Sequence, residues 1–199
     1  KTVTIGSETI KGRHIILATG SKVSRINIPG IDSKLVMTSD DILDLREMPK
    51  SLAVMGGGVV GIELGLVWAS YGVEVTVIEM ADRIIPAMDK EVSQELQKIL
   101  SKKGMTIKTS VGVSEIIEAN NQLTLKLNDG SEVVAEKALL SIGRVPQMKG
   151  LENLNLEMDR NRIKVNDYQE TSIPGIYAPG DVNGTKMLAH AAYRMGEVA

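Results

Sequence analysis

Residues 51–79 read SLAVMGGGVVGIELGLVWASYGVEVTVIE, and this stretch decides the fold. SLAVM before the glycines and VEVTVIE after them have the unbroken, partly β-branched apolar texture of strands buried on both faces. Between Leu52 and Val73 the one formal charge is Glu63, so the segment is long and apolar enough to be scored as a membrane span. Gly56, Gly57, Gly58, Gly61, Gly65 and Gly72 argue against a span, because each weakens a continuous helix. A strand over 51–56, a helix over 58–71 and a strand over 73–78 bury the same side chains without lipid. Together they make one βαβ unit.

At the turn from the first strand into the helix stands Gly56-Gly57-Gly58-Val59-Val60-Gly61, a G-x-G-x-x-G. The first glycine permits a tight turn, the second lets the main chain approach a pyrophosphate with no Cβ in the way, and the third lets helix and strand pack closely. The free N–H groups and partial positive charge of the helix N-terminus then face an anionic bridge. Outside the strand–turn–helix context such a motif carries little weight; here the context is present.

Glu79 closes the second strand about 20 residues beyond the glycines, where the ribose-binding acid of a dinucleotide site belongs. Hydrogen bonds from ribose hydroxyls to a carboxylate are worth about 1.5–3 kcal/mol. A 2′-phosphate would instead meet it at like charge, at about 4 kcal/mol per charge pair for a separation of 4 Å and an effective dielectric of 20. NAD is therefore expected over NADP. Glu63 has two readings that sequence position leaves open: a carboxylate complementing the helix dipole, or a group facing the nicotinamide end of the ligand.

Outward from this unit, Thr2–Ile5 and Glu8–Ile10 read as a hairpin around Gly6-Ser7, and Ile15–Ala18 as a strand. Thr38–Leu45 is expected to be a short helix. Asp89 is expected to cap a helix in which Val92, Leu96, Ile99 and Leu100 recur at helical spacing until Gly104. Met105–Thr109, Val111–Glu118, the alternating Leu123–Leu127, an Asn128-Asp129-Gly130 turn and Glu132–Ala135 predict strands ending in an antiparallel meander. Lys137–Ile142 reads as a further buried strand, Arg162–Val165 and Gly175–Ala178 as short strands, and Met187–Val198 as a helix. The fold class is α/β: a Rossmann-like, NAD-binding parallel sheet plus an antiparallel β-meander.

Composition narrows the function. The 199 residues carry 23 Lys and Arg against 25 Asp and Glu, so no basic excess exists to track a phosphate backbone and nucleic acid is not an expected partner. With no Cys, this chain offers no disulfide framework, thiolate metal site or Cys nucleophile. His14 and His190 are the only histidines, neither with ligand company at metal-binding spacing. No membrane partner is expected. The polar start, KTVTIGSETIKG, lacks a signal-peptide core and an initiating Met, so the chain is expected to be cut from something longer.

Several separated stretches resemble one family in the order in which it carries them: Ala18-Thr19-Gly20-Ser21, GGGVVGIELG over 56–65, Ile142-Gly143-Arg144-Val145-Pro146, Ala178-Pro179-Gly180-Asp181-Val182 and Met187-Leu188-Ala189-His190. The family is the pyridine nucleotide–disulfide oxidoreductases. Within it the chain is most similar to the dihydrolipoamide dehydrogenases, on Glu79, the run Asp82-Arg83-Ile84-Ile85-Pro86 and the ending GDVNGTKMLAHAA. Val59 fits too, since the similar glutathione reductases tend to carry Tyr there and Arg in place of Glu around the 2′-phosphate.

The resemblance implies that Gly56, Gly57, Gly58, Val59, Val60, Gly61, Ile62, Glu63, Glu79, Val113 and Gly143 contact NAD. It also implies FAD, with Thr19, Gly20 and Ser21 closing the first half of an FAD domain, Asp181 at the ribitol chain, and Met187, Leu188, Ala189 and His190 under the flavin ring. The implied organisation is 1–45 and 146–199 as flanks of an FAD domain around an NAD domain at 46–145. The first FAD glycine loop and a redox Cys pair are expected before Lys1, and a dimerisation domain with a His–Glu pair after Ala199. The implied parent is a homodimer serving a 2-oxo acid dehydrogenase complex in cytosol or mitochondrial matrix. A related NADH oxidase or disulfide reductase, and a non-catalytic NAD sensor, are the competing readings. Pro179 and Gln147 depart from the family's usual residues, and Pro179 is expected to shift the backbone near the flavin.

Overall fold

The computed structural model describes residues 1–199, which pack as two compact units: 1–22 with 144–199, and 23–143. The first passage of chain supplies β1 (Thr2–Ile5), β2 (Glu8–Lys11), β3 (Ile15–Ile16) and β4 (Ser21–Val23). Then come β5 (Val36–Met37), α1 (Ser39–Leu43), β6 (Ser51–Met55), α2 (Val59–Ser70), β7 (Glu74–Ile78), α3 (Lys90–Lys102) and β8 (Thr106–Lys108). β9 (Val113–Ala119), β10 (Gln122–Leu127), β11 (Glu132–Ala135) and β12 (Lys137–Leu140) complete the 23–143 unit. The return passage holds β13 (Arg144–Pro146), β14 (Met158–Asp159), β15 (Arg162–Ile163), β16 (Ile176–Tyr177), a 3₁₀ turn at Gly180–Asn183 and α4 (Ala189–Val198).

The 23–143 unit is built on a five-stranded parallel sheet in the order β5-β12-β6-β7-β8. Side chains alternate across it, as the two-residue period of a strand requires. Leu52 and Val54 of β6, with Val75 and Val77 of β7, join Ile62 of α2 and Leu100 of α3 in one core. Ala53 and Met55 face the other way, against Leu123, Leu125 and Leu127 of the antiparallel β11-β10-β9 meander. Val54, Val77, Leu100, Leu123 and Leu125 are fully buried, each contributing about 1.5–3 kcal/mol relative to exposure. The chain enters and leaves this unit at neighbouring points, since the Ser24 N–H donates to the Gly143 carbonyl at 2.9 Å.

The apolar run 52–73 is thus a strand, a 12-residue helix and the lead into a second strand, and no helix of the protein is long and apolar enough to cross a membrane. Residues 23–45 pack in the 23–143 unit: β5 adds to the sheet beside β12, and Ile31 and Leu35 are buried against the meander. The helix over 90–102 forms as expected, but its buried face differs. Leu100 and Ser93 are fully buried while Val92 and Ile99 are 53% and 44% exposed, because the Ser93 hydroxyl finds a carbonyl acceptor in the core.

In the other unit, β1 and β2 pair antiparallel with Ile5 opposite Glu8, β3 pairs in parallel with β16, and β4 pairs with β13. Leu17, Leu151, Ile163, Ile176, Ala178 and Val182 form its core. Pro179 has φ −77° and ψ 152°, ordinary proline values, and stands just before the 3₁₀ turn.

Candidate dinucleotide site

The glycine loop 56–58 joins the C-terminal end of β6 to α2 at the centre of the parallel sheet, the crevice where open α/β sheets present ligand sites. Gly56 has φ +106°, and a Cβ there would lie 2.6 Å from the Ser141 carbonyl oxygen. A Cβ on Gly61 would collide with the Gly56 carbonyl oxygen and with Ser141. Gly58 differs: it has an extended backbone with φ −73°, and nothing lies within 4 Å of where its Cβ would be. Two glycines are therefore required by packing, and the third opens onto free space.

Gly58 is the N-cap of α2 and supplies no side-chain cap, so the first N–H groups of the helix have no side-chain acceptor and carry the positive end of its dipole. Val59 and Val60 are exposed beside them, and Ile62 is buried beneath. Glu63, one turn in, is exposed on the same stripe as Val59 and Val67, and no side chain pairs with it.

Glu79 is half-buried at the end of β7. Its Oε2 accepts the Gly57 N–H at 2.6 Å and its Oε1 the Ala81 N–H at 2.7 Å. Each carboxylate oxygen retains a second lone pair, so the group is oriented and still able to accept from a hydroxyl. The Val111 N–H donates to the Glu79 carbonyl and the Ser110 N–H to the Ala81 carbonyl, which brings the start of β9, with Val113, alongside the acid. The exposed side chain of Met80 lies against Gly112, where a Cβ would be 2.9 Å from Met80 Cγ. On the other side of the loop, Ser141 donates to the carbonyls of Met55 and Gly56 at 3.0 and 3.2 Å, two residues before Gly143, whose φ is +118°.

The residues assigned on sequence to FAD sit in the other unit, where Thr19, Gly20, Ser21 and Asp181 share one network. Thr19 donates to the Gln147 carbonyl at 2.6 Å, the Gln147 N–H to the Gly20 carbonyl at 2.8 Å, and the Ser21 hydroxyl to Asp181 Oδ2 at 2.6 Å. Arg144 closes round Ser21, Nε donating to its hydroxyl and Nη2 to its carbonyl. Met187 precedes α4, Leu188 is its N-cap, and Ala189 and His190 are exposed in its first turn. His14 lies against the Tyr177 ring at 6.0 Å.

The sequence assigns no site role to Ser141, Ser93, Ile85 or Asn183. Asn183 is fully buried and donates to the Ala178 carbonyl and to Gln169 Oε1 while accepting from Thr185. Two concavities of the 23–143 unit lie away from the glycine loop. One, of about 330 Å³, is lined by Arg25, Asp32, Ser33 and Thr38; the other, of about 770 Å³, runs along α3 past Arg83 and Lys98. Neither includes Glu79 or a loop glycine.

A sequence profile of the pyridine nucleotide-disulphide oxidoreductases matches residues 1–196. The chain is 41% identical to a dihydrolipoyl dehydrogenase of Acholeplasma laidlawii, covering 99% of this chain and 60% of that protein. Against a Mycoplasma pneumoniae protein of the same name the identity is 40%, covering 100% and 44%. For the mitochondrial dihydrolipoyl dehydrogenase 1 of Arabidopsis thaliana the values are 41%, 98% and 40%. The chain thus spans about half the length of these relatives. Among solved structures, the Cu(II) complex of the HOCl-induced flavoprotein disulfide reductase RclA of Escherichia coli superposes with a TM-score of 0.90 at 27% identity, covering 96% of this chain and 45% of that one. A pyridine nucleotide-disulphide oxidoreductase of Desulfovibrio vulgaris, described as FAD-dependent, gives 0.86 at 27%, covering 96% and 53%.

Proposed function

Because the chain belongs to the pyridine nucleotide-disulphide oxidoreductase family, we propose that it is the NAD(H)-binding portion, with flanking pieces of the FAD domain, of a dihydrolipoamide dehydrogenase. The observation that carries this reading is the pair formed by Gly58 and Glu79: an uncapped helix N-terminus with open space before it, beside a carboxylate pre-aligned by two backbone N–H groups. A dinucleotide fits these groups. Its diphosphate meets the N–H groups of Gly58, Val59 and Val60, and its adenosine ribose donates to Glu79. Val113, Gly143, Gly56, Gly57, Gly61 and Ile62 shape the crevice, and Glu63 lies on the exposed stripe of α2 toward the nicotinamide end.

A flavin fits the second network through Asp181, held by Ser21, with Thr19, Gly20 and the segment Met187, Leu188, Ala189 and His190 around it. FAD held by these residues would supply two-electron chemistry between a dithiol and NAD. This chain's own contribution is to orient: the glycine loop fixes the diphosphate and Glu79 the adenosine sugar. The organisation proposed for the parent is an NAD domain over 46–145 with FAD-domain flanks 1–45 and 146–199, in a homodimer working within a 2-oxo acid dehydrogenase complex in cytosol or mitochondrial matrix. The similarity of three dihydrolipoyl dehydrogenases over nearly the whole chain supports the member assignment.

The test is calorimetric titration of the full-length protein with NADH and NADPH, together with an assay of NAD reduction by dihydrolipoamide. Tighter NADH binding and lipoamide-dependent turnover are expected. Preference for NADPH overturns the role of Glu79, and NADH binding without lipoamide-dependent turnover overturns the dehydrogenase assignment.

A further inference from the structure

We infer that Ser93, a buried residue of α3 that would make no contact with ligand, is a positioning residue for the diphosphate-binding N–H of Gly58. This rests on the nucleotide reading above and adds to it the device that aims the loop. The Ser93 side chain is fully buried and its hydroxyl donates to the Ile84 carbonyl at 2.6 Å. The Ile85 N–H donates to the Gly57 carbonyl at 2.7 Å. The trans peptide is planar, with C=O and N–H pointing to opposite sides. Holding the Ile84 oxygen toward Ser93 therefore turns the Ile85 N–H the other way, onto Gly57. Holding the Gly57 oxygen toward Ile85 in turn sends the Gly58 N–H away, out of the loop.

The result is a row of two peptide units in series, from the Ser93 hydroxyl through Ile84-Ile85 and Gly57-Gly58 to a free donor. In such a row each hydrogen bond polarises the next, so the far N–H is a stronger donor as well as a fixed one. The neighbouring peptide is held independently, the Gly57 N–H on Glu79 and the Gly56 carbonyl on Ser141. Two further features fit a row that has to keep its aim. Ile85 has φ +40°, a left-handed conformation in which a β-branched residue is an outlier, and such conformations persist where their surroundings over-determine them. Ile84 is fully buried against the loop, its Cγ2 3.1 Å from where a Cβ on Gly57 would lie.

The experiment titrates full-length wild type and Ser93→Ala with ADP-ribose and with adenosine. ADP-ribose reads the diphosphate contact; adenosine reads Glu79 without it. For Ser93→Ala we expect ADP-ribose affinity to fall about tenfold, the scale of one weakened hydrogen bond to a charged group, with adenosine affinity within about twofold of wild type. Unchanged ADP-ribose affinity overturns the inference, as does an equal loss for both ligands, which is what a merely structural serine gives. A wild type that binds neither ligand sinks the nucleotide reading itself, a separate outcome. A second measurement needs no variant: amide hydrogen exchange at Ile85 in the wild type is expected to slow with ADP-ribose and not with adenosine. Equal slowing by both, or none with either, overturns the row.

Discussion

Glu79 reaches back 22 residues to take the Gly57 N–H on Oε2 at 2.6 Å, so the acid that would hold the ribose also fixes the loop that would hold the diphosphate. One carboxylate couples the two halves of the site, and neither half is independent of it.

Glu79→Gln is expected to weaken NADH binding by about 10- to 100-fold, from the loss of about 1.5–3 kcal/mol of charge-assisted hydrogen bonding. The amide has one acceptor oxygen, so its NH₂ opposes the N–H of either Gly57 or Ala81. Removing the charge also narrows the gap between NADH and NADPH. Calorimetry with both cofactors checks each statement, and an unchanged NADH affinity would contradict them.

Gly58→Val and Gly61→Ala are expected to fail in opposite ways. Open space in front of Gly58 and its φ of −73° mean that the valine folds, at a cost of about 1 kcal/mol or less at the helix cap, while filling the approach to the diphosphate. At Gly61 the added methyl meets the Gly56 carbonyl and Ser141, an overpacking worth about 1–3 kcal/mol or more. Thermal melting and NADH titration of both variants separate the cases: Gly58→Val keeps its Tm and loses NADH, and Gly61→Ala loses Tm first.

Asp181→Ala in the full-length protein is expected to strip flavin, because the Ser21 hydroxyl, itself held by Arg144, orients that carboxylate. Absorbance of bound flavin after gel filtration gives the answer, and full retention would remove Asp181 from the site.

Asp41 closes a capping box on α1, accepting from the Thr38 hydroxyl and backbone N–H at 2.7 and 2.8 Å. These bonds, the hydroxyl's first, hold its carboxyl below the ordinary carboxylate value of 3.8. A depressed folded pKa stabilises above the unfolded value, and the stabilisation is lost as pH falls through the folded one. Thr38→Ala removes the hydroxyl and keeps the backbone N–H, so it is expected to move the Asp41 titration part of the way back toward its ordinary value and to cost about 1 kcal/mol at neutral pH. Carboxyl chemical shifts followed from pH 6 to 2 read the first effect, and a melt at pH 7 the second.

The centre of the fold was legible because its signals are local. A run of glycines between two apolar strands, alternation over Leu123–Leu127 and an acid at a strand end each declare themselves within a short window. The two-residue strand β5 carries no period to detect, and it exists only because β12, a hundred residues later, lies beside it. Ser93 was hidden for another reason. Apolar spacing ranked Val92 and Ile99 as inward, whereas the fold turns a hydroxyl inward and leaves both exposed, since a polar group with a partner is not costly to bury. Glu63 stayed ambiguous because orientation on a helix, unlike position, is set by tertiary packing.

The hydrogen bond from Ser24 to Gly143 says something about ancestry and engineering that the site does not. A block of chain whose two ends meet can be carried by its host as an insertion, because close ends let it enter and leave at one place.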